Sequence, residues 1–270
     1  MVRSFLRKWI KEKVYYKYLN RVGHFRYFNQ ELFFPKGSLS FVQVFKNGVY
    51  EWDNLRFVLG NIPDNSTYFD VGANLGLMSL PILDQTRNVN VIALEASPQM
   101  FMYLQKTRER SKYKDKWILI NKAVSDSPGL EMNFHLASPG NHAYGSLQDT
   151  ARIKFTDIIK VTTTTIDEIW RRSNKPKVSF IKTDIEGADL LALRGAAACI
   201  KECKPAILIE WNGINIAPFG FVNSDLLDEC VTMKYNCYAI PAFNHVKSEI
   251  ELRQNMLLTE SYLLLPQIDQ

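Results

Sequence analysis

Asp70, Gly72, Asn74 and Gly76 stand in the order Asp-x-Gly-x-Asn-x-Gly, directly after the apolar run TYFDV and directly before a helical pattern. Glycines in such a turn let the backbone bend tightly and approach a ligand, while the first N–H groups of the next helix point outward. A dinucleotide loop reads Gly-x-Gly-x-x-Gly and seats a diphosphate on the helix N-terminus. Here Asp70 would repel a diphosphate and welcome a cation, which disfavours nicotinamide-dependent oxidoreduction. S-adenosylmethionine suits that charge. It carries an ammonium and a sulfonium but no phosphate, and loop N–H groups can take its carboxylate. Glu95 follows Asp70 by 25 residues, at the end of VNVIALEA. A carboxylate at that place can accept both ribose hydroxyls of a nucleoside. Ala123 and Val124 end the next apolar stretch and offer backbone and apolar contacts to an adenine ring.

A second acidic group lies further along, in Ile181-Lys182-Thr183-Asp184-Ile185-Glu186-Gly187. In open α/β sheets ligands bind outside the carboxyl ends of the strands, so Asp184 and Glu186 belong at the mouth of the site that Asp70 and Glu95 outline. Asp184 is the first candidate for a base that takes a proton from an acceptor hydroxyl, with His142 second. Glu186 shares the candidate catalytic position, and Glu186-Gly187 equally suits the start of a helix, where the dipole favours an anion. Asp184 with Glu186 or Glu210 could hold a divalent metal that lowers the acceptor's pKa, though the spacing does not require one.

These residues need elements to hold them. From residue 56 apolar strand-like runs alternate with helical runs, the pattern of βαβ units and a parallel sheet. The strand candidates are TYFDV, VNVIALEA, WILINKAVS, VSFIKTDI and PAILIEW, with NCYAI and SYLLLP as possible extensions; helices are expected around 76–84, 98–111, 166–172 and 188–203. An insertion, 126–165, separates the third and fourth strands and brings Asn141, His142 and Tyr144 towards an acceptor pocket. Before the alternating part, SLSFVQVFKNGVYEW suggests two short strands around Asn47-Gly48, a hairpin dipeptide. The expected organisation is an N-terminal extension, 1–49, and a main domain, 50–270.

The 270 residues are 46% hydrophobic, enough for a sizeable core, which excludes collagenous, disordered and disulfide-stapled classes. Lys plus Arg number 33 against 28 Asp plus Glu, a net +5. Residues 1–21 hold seven cations against Glu12, a net +6, so the rest of the chain is −1. That gives no broad phosphate-binding face, and nucleic acid is a poor partner. Residues 3–20 instead read as a basic amphipathic helix that either lies on an anionic membrane or packs on its own domain. No apolar run is long enough to span a bilayer, and the charged start has no signal-peptide core. Cys199, Cys203, Cys230 and Cys237 show no metal-ligand spacing and read as reduced core residues. The expected place is the cytoplasm, with peripheral membrane contact through residues 1–21.

YFDVGANLG (68–76), Glu95, AVSDSPG (123–129) and IKTDIEGADLLALRGA (181–196) together resemble the FkbM-type family of S-adenosylmethionine-dependent methyltransferases. The resemblance runs from about Tyr50 to Asn212, and Lys-x-Asp-x-Glu-Gly is its most specific part. It implies a Rossmann-like class I methyltransferase with a mainly parallel seven-stranded sheet and helices on both faces. It implies O-methylation of a hydroxyl on a sugar, glycan or small metabolite. By matching position, Asp70, Gly72, Asn74, Gly76 and Glu95 would hold the cofactor, with Ala123 and Val124 near its adenine. Pro81 departs from the pattern: inside the first helix it should kink it. Two rival readings remain, an RNA methyltransferase and a non-catalytic cofactor-binding domain docked through its basic tail. The first lacks the Asn/Asp-Pro-Pro-Tyr/Phe sequence usual for base-amine methylation and has DIEG in its place.

Overall fold

The computed structural model describes residues 13–137, 141 and 144–267. Residues 13–22 form helix α1, followed by a hairpin of β1 (His24–Tyr27) and β2 (Gln30–Phe33) and by α2 (Leu39–Asn47) and α3 (Trp52–Asn61). The alternating part opens with β3 (Thr67–Val71), α4 (Ser79–Gln85), β4 (Asn90–Leu94), α5 (Pro98–Arg110) and β5 (Trp117–Ile120). Next comes β6 (Ala123–Val124), and the insertion supplies β7 (Glu131–Ala137) and β8 (Phe155–Thr164). Alternation resumes with α6 (Ile166–Arg172), β9 (Val178–Thr183), α7 (Asp189–Arg194), α8 (Ala197–Cys203) and β10 (Ala206–Glu210). The last elements are α9 (Gly213–Ile216), α10 (Asp225–Met233), β11 (Tyr235–Ala239), β12 (Asn244–Val246), α11 (Glu249–Asn255) and β13 (Ser261–Pro266).

The main sheet has eight strands in the order β12-β11-β13-β10-β9-β3-β4-β5. Strands β10, β9, β3, β4 and β5 pair in parallel, whereas β13 is antiparallel to both β10 and β11, and β12 is antiparallel to β11. The seven-stranded expectation is therefore corrected to a mixed, Rossmann-like sheet of eight. The eighth strand arises because the link from Ala239 to Asn244 is too short for a parallel crossover and can only fold back as a hairpin. A smaller sheet, β6-β8-β7, carries the insertion. The third apolar stretch thus divides, with β5 in the main sheet and Ala123-Val124 pairing with β8.

Side chains alternate across the strands and feed two cores. On one face Phe69, Val71, Ile181 and Ile209 meet Trp170 of α6, Leu190 of α7, Ile200 of α8 and Leu226 of α10. On the other, Tyr68, Phe180, Leu208 and Leu263 meet Leu80 of α4, Leu104 of α5, Leu55 of α3, Phe41 of α2 and Leu19 of α1. The N-terminal elements therefore share a core with the sheet. Tyr16 of α1 stacks on Phe41 with ring centroids 5.6 Å apart, while Val14, Tyr15 and Tyr18 are exposed. Residues 1–12, half of the basic amphipathic segment, lie outside the described residues.

Three local expectations change. The strands foreseen around Asn47-Gly48 are a helix: Ser38 caps α2 by accepting from Phe41 N, and Gly48 ends it at φ 81° with its N–H donating to Val44 O. Asn-Gly here terminates a helix, a role in which a left-handed glycine is equally at home. The hairpin lies earlier, where Phe28 and Asn29 adopt φ 44° and 58° between β1 and β2. Pro81 produces no kink, because α4 begins only at Ser79 and the proline falls in its first turn, where no intrahelical acceptor awaits its N–H. Finally, 188–203 is two helices, divided at Gly195-Ala196. A Cβ at Gly195 would meet Ser125 O at 2.2 Å, so the backbone passes there against the loop after β6.

Candidate active site

The carboxyl ends of the parallel strands open onto a cavity of about 310 Å³. Asp70, Gly72, Asn74, Glu95, Ala123, Val124, Asp184 and Glu186 all line it. Gly76 does not: at φ 82° it lies against Trp117, whose ring would be 2.8 Å from an added Cβ. His142 lies outside the described residues. The antiparallel strand β13 begins where its parallel neighbours end, so Glu260 and Ser261 reach the same rim. From the N-terminal elements come Tyr50 and Glu51.

The turn after β3 is held by the protein itself. Gly72 N and Ala73 N both donate to Leu94 O at 2.9 Å, Gly76 N donates to Ala73 O at 2.8 Å, and Asn74 N donates to Glu95 Oε2 at 2.8 Å. Those four N–H groups are thus engaged within the protein. Gly72 is required by the chain itself: at φ 77°, a Cβ there would sit 2.0 Å from Asp184 O. Glu95 also accepts from Ser97 N at 2.8 Å, which fixes its carboxylate across the ends of β4 and α5. Burial pushes Glu95 up to about 7, against those two N–H bonds.

Lys182, which the sequence reading quoted but gave no role, organises the centre. The parallel pairing of β3 with β9 sets Lys182 opposite Asp70. Its Nζ lies 3.8 Å from Asp70 Oδ1 and 3.2 Å from Asp184 Oδ2, and it donates to Gly72 O at 3.2 Å. Burial opposes its charge, but the two aspartates outweigh that and keep it protonated. Asp70 Oδ2 accepts from Ser79 Oγ at 2.5 Å, whereas its buried Oδ1 has no hydrogen-bond donor. Burial raises Asp70 despite Lys182. Asp184 also meets a burial penalty, yet Lys182 and a hydrogen bond from Glu210 hold it below the usual carboxylate range.

Around Asp184 gather more carboxyls. Asp184, Glu186 and Glu210 each bring an oxygen within 4.8 Å of the other two, a set able to take a divalent cation. Arg152, from the insertion, already reaches in: it lies 3.4 Å from Glu186, 3.4 Å from Glu210 and 3.2 Å from Glu260, over the Tyr144 ring. Glu186 adopts φ 56° and accepts from Asn215 Nδ2 at 2.7 Å, so it faces the cavity instead of starting a helix. Asp189 holds that turn, accepting from Thr183 Oγ1 at 2.8 Å, Gly187 N at 3.1 Å and Ile185 N at 3.2 Å. Burial, then the charge of Asp184, pushes Glu186 up to about 8 and Glu210 well above its ordinary value. Of this trio Asp184 is the carboxyl most readily ionised. Glu51, at φ 43° before α3, adds another carboxyl and accepts from Asn54 Nδ2 at 2.9 Å. Non-glycine residues in the left-handed region cost energy and cluster at functional sites.

The sequence profile of the Methyltransferase FkbM domain matches residues 70–251, more than half of the chain and all of the strand ends from Asp70 to Glu210. The chain belongs to the FkbM methyltransferase family. Among curated proteins it is similar to the hexuronic acid methyltransferase AglP of Haloferax volcanii, at 25% identity over 168 residues, covering 61% of this chain and 64% of that protein. It is similar to methyltransferase 1 of Beauveria bassiana at 25% identity over 147 residues, covering 49% of this chain and 59% of that protein. The chain thus spans somewhat under two thirds of these relatives. A solved FkbM methyltransferase from Methylobacillus flagellatus KT superposes with a TM-score of 0.49 and 18% identity, over 80% of this chain and 48% of that one.

The cofactor of the FkbM family is S-adenosylmethionine, and the residues present suit it. Seven acids line the cavity against two bases, Lys182 and Arg152, so its field favours a cationic ligand even with Asp70 partly balanced by Lys182. Asp70 Oδ1 is a buried acceptor left for such a ligand, and Glu95 keeps lone pairs free beside its two N–H bonds. Lys182, Arg152 and Glu51 are the site residues that sequence reasoning missed. Opposition to Asp70 across β3 and β9 would have found Lys182. Arg152 sits in an irregular loop with no periodic signal, and Glu51 lies where a hairpin was foreseen.

Proposed function

We propose that this chain is an S-adenosylmethionine-dependent O-methyltransferase acting on a hydroxyl of a sugar, glycan or other small polyhydroxylated molecule. The observation that carries the reading is Asp184, lining the cavity beside the acids that suit a nucleoside and paired at 3.2 Å with Lys182, which favours its ionised form. The hexuronic acid relative supports a sugar acceptor. A ring of carboxyls also repels a phosphodiester, which weighs against the RNA reading.

When bound, the cofactor supplies an electrophilic methyl group on a positively charged sulfur. Asp70, Asn74 and Glu95 would hold it, Glu95 through the ribose hydroxyls, with Ala123 and Val124 beside the adenine. Tyr50, Glu51 and Tyr144 wall the remaining space and would orient the acceptor, and such positioning can supply about 7–11 kcal/mol of the barrier. Asp184 takes the proton of the acceptor hydroxyl onto a carboxylate oxygen, worth roughly 10²–10⁴-fold. Lys182 keeps that carboxylate ionised, and Glu210 donates to it. Glu186, whose carboxyl is raised by burial and by the charge of Asp184, accepts from Asn215 and pairs with Arg152 rather than acting as the base. His142 stays the second candidate base.

The test is transfer of radiolabelled methyl to glycan, metabolite, lipid and RNA fractions, with and without chelator, alongside Asp184→Asn. The variant should bind cofactor normally by calorimetry and lose transfer. Wild-type turnover in it removes Asp184 from the chemistry. Loss of transfer on chelation would instead favour a metal at Asp184, Glu186 and Glu210. Binding without transfer to any fraction would support a non-catalytic domain.

A further inference from the structure

We propose that the acceptor half of the cavity selects for positive charge: its substrate is a sugar or polyol bearing a protonated amine, and uronic acids and sugar phosphates are rejected. This rests on the O-methyl-transfer reading above and narrows its substrate class.

Five acids face the space beyond the cofactor residues: Glu51, Asp184, Glu186, Glu210 and Glu260. Two cations face it, and both are engaged by the protein's own oxygens. Lys182 is held among Asp70, Asp184 and Gly72 O at 3.2–3.8 Å. Arg152 is held among Glu186, Glu210 and Glu260 at 3.2–3.4 Å. Among the described residues, no further cation lines the cavity. An acceptor carboxylate or phosphate would have to displace one of these pairs or remain unpaired beside like charges, and either is costly in a partly buried site. An ammonium meets the opposite situation. Glu51 lines the cavity with neutral hydrogen-bond partners, accepting from Asn54 Nδ2 at 2.9 Å and from the Tyr50 hydroxyl. The hexuronic acid relative marks the contrast: an anionic sugar is best met by a free cation, and among the described residues the cavity presents none.

The experiment compares matched methyl glycosides, a glucosaminide with a free amine, a glucoside and a glucuronide, with the galacto series in parallel. Labelled cofactor and the full chain are used at neutral pH, and kcat/KM is read for each. The amine should exceed the neutral sugar by about tenfold, roughly 1.4 kcal/mol, and the glucuronide should fall below the neutral sugar by at least as much. Glu51→Gln should narrow the ratio of amine to neutral-sugar kcat/KM, whatever its effect on the absolute rates, and an unchanged ratio removes Glu51 from the selection. Transfer led by the uronide, or equal for all three, overturns the charge selection and leaves the methyltransferase reading intact. Transfer to none of them with cofactor bound overturns the sugar reading and the selection with it.

Discussion

Replacing Lys182 by methionine tests how the centre of the site is built. The ammonium is 6% exposed and joins Asp70, Asp184 and the carbonyl of Gly72. Methionine keeps most of the volume and removes only the charge. Buried Asp70 and partly exposed Asp184 then face each other without a counterion, and breaking a buried pair in this way costs at most about 3–5 kcal/mol. At an m-value of about 2 kcal/mol/M, that is a fall of roughly 1.5–2.5 M in the urea midpoint. Part of the cost can be avoided if Asp184 takes up a proton, because Lys182 is the largest influence holding it below the usual carboxylate range. Methyl transfer by the variant should then rise with pH across the neutral range, where the wild type is flat on this limb. The assay pairs urea unfolding followed by tryptophan fluorescence with initial rates over a pH series. An unchanged midpoint with an unchanged pH profile would refute the assignment of Lys182 as the group that keeps Asp184 ionised.

Glu95 should give cofactor affinity a pH dependence, because the ionised carboxylate is the better acceptor of ribose hydroxyls and its pKa is about 7. Calorimetric affinity should increase as pH rises through about 7 in the wild type and stay level in Glu95→Gln. The sign is opposite for the ligand-free fold: the pKa is raised from 4.5 to about 7, so stability is fullest below 4.5 and declines as pH rises through 7. Gly72→Ala should destabilise by roughly 3 kcal/mol or more, from a left-handed backbone and a Cβ driven into a carbonyl. Gly48→Ala, left-handed but in open space, should cost only about 1 kcal/mol, and chemical denaturation of both variants separates the two effects.

Periodicity made the parallel half of the molecule legible. TYFDV, VNVIALEA, VSFIKTDI and PAILIEW are apolar at nearly every position because both faces are covered, and strand ends follow from where those runs stop. The acids at those ends were therefore placed correctly around one cavity. What the pattern missed is set by tertiary pairing. Leu39 to Asn47 is β-branched and aromatic enough to suggest strands, but the Ser38 cap and the shared core of Phe41 and Val44 decide for a helix. The glycine loop was located correctly and explained incompletely. Gly72 and Gly76 answer to Asp184 O and Trp117, partners 112 and 41 positions away that no local reading reaches. Arg152 likewise comes from an irregular loop, and its three carboxylates belong to three different elements or their borders.

Strand β13 lies in the interior of the sheet, between β10 and β11, although it follows both in sequence. During synthesis β10 and β11 must each wait with an unpaired side until residues 261–266 have left the ribosome. Ile207, Leu208 and Ile209 on one flank and Cys237, Tyr238 and Ala239 on the other offer those waiting edges. Long-range pairing of this kind folds slowly and leaves apolar edges open to other chains meanwhile. The rim residue Glu260 arrives with the same strand, so the binding field is finished only at the moment the sheet closes. Translation speed over the last elements, and chaperone occupancy of the open edge, then become determinants of how much active protein a cell obtains.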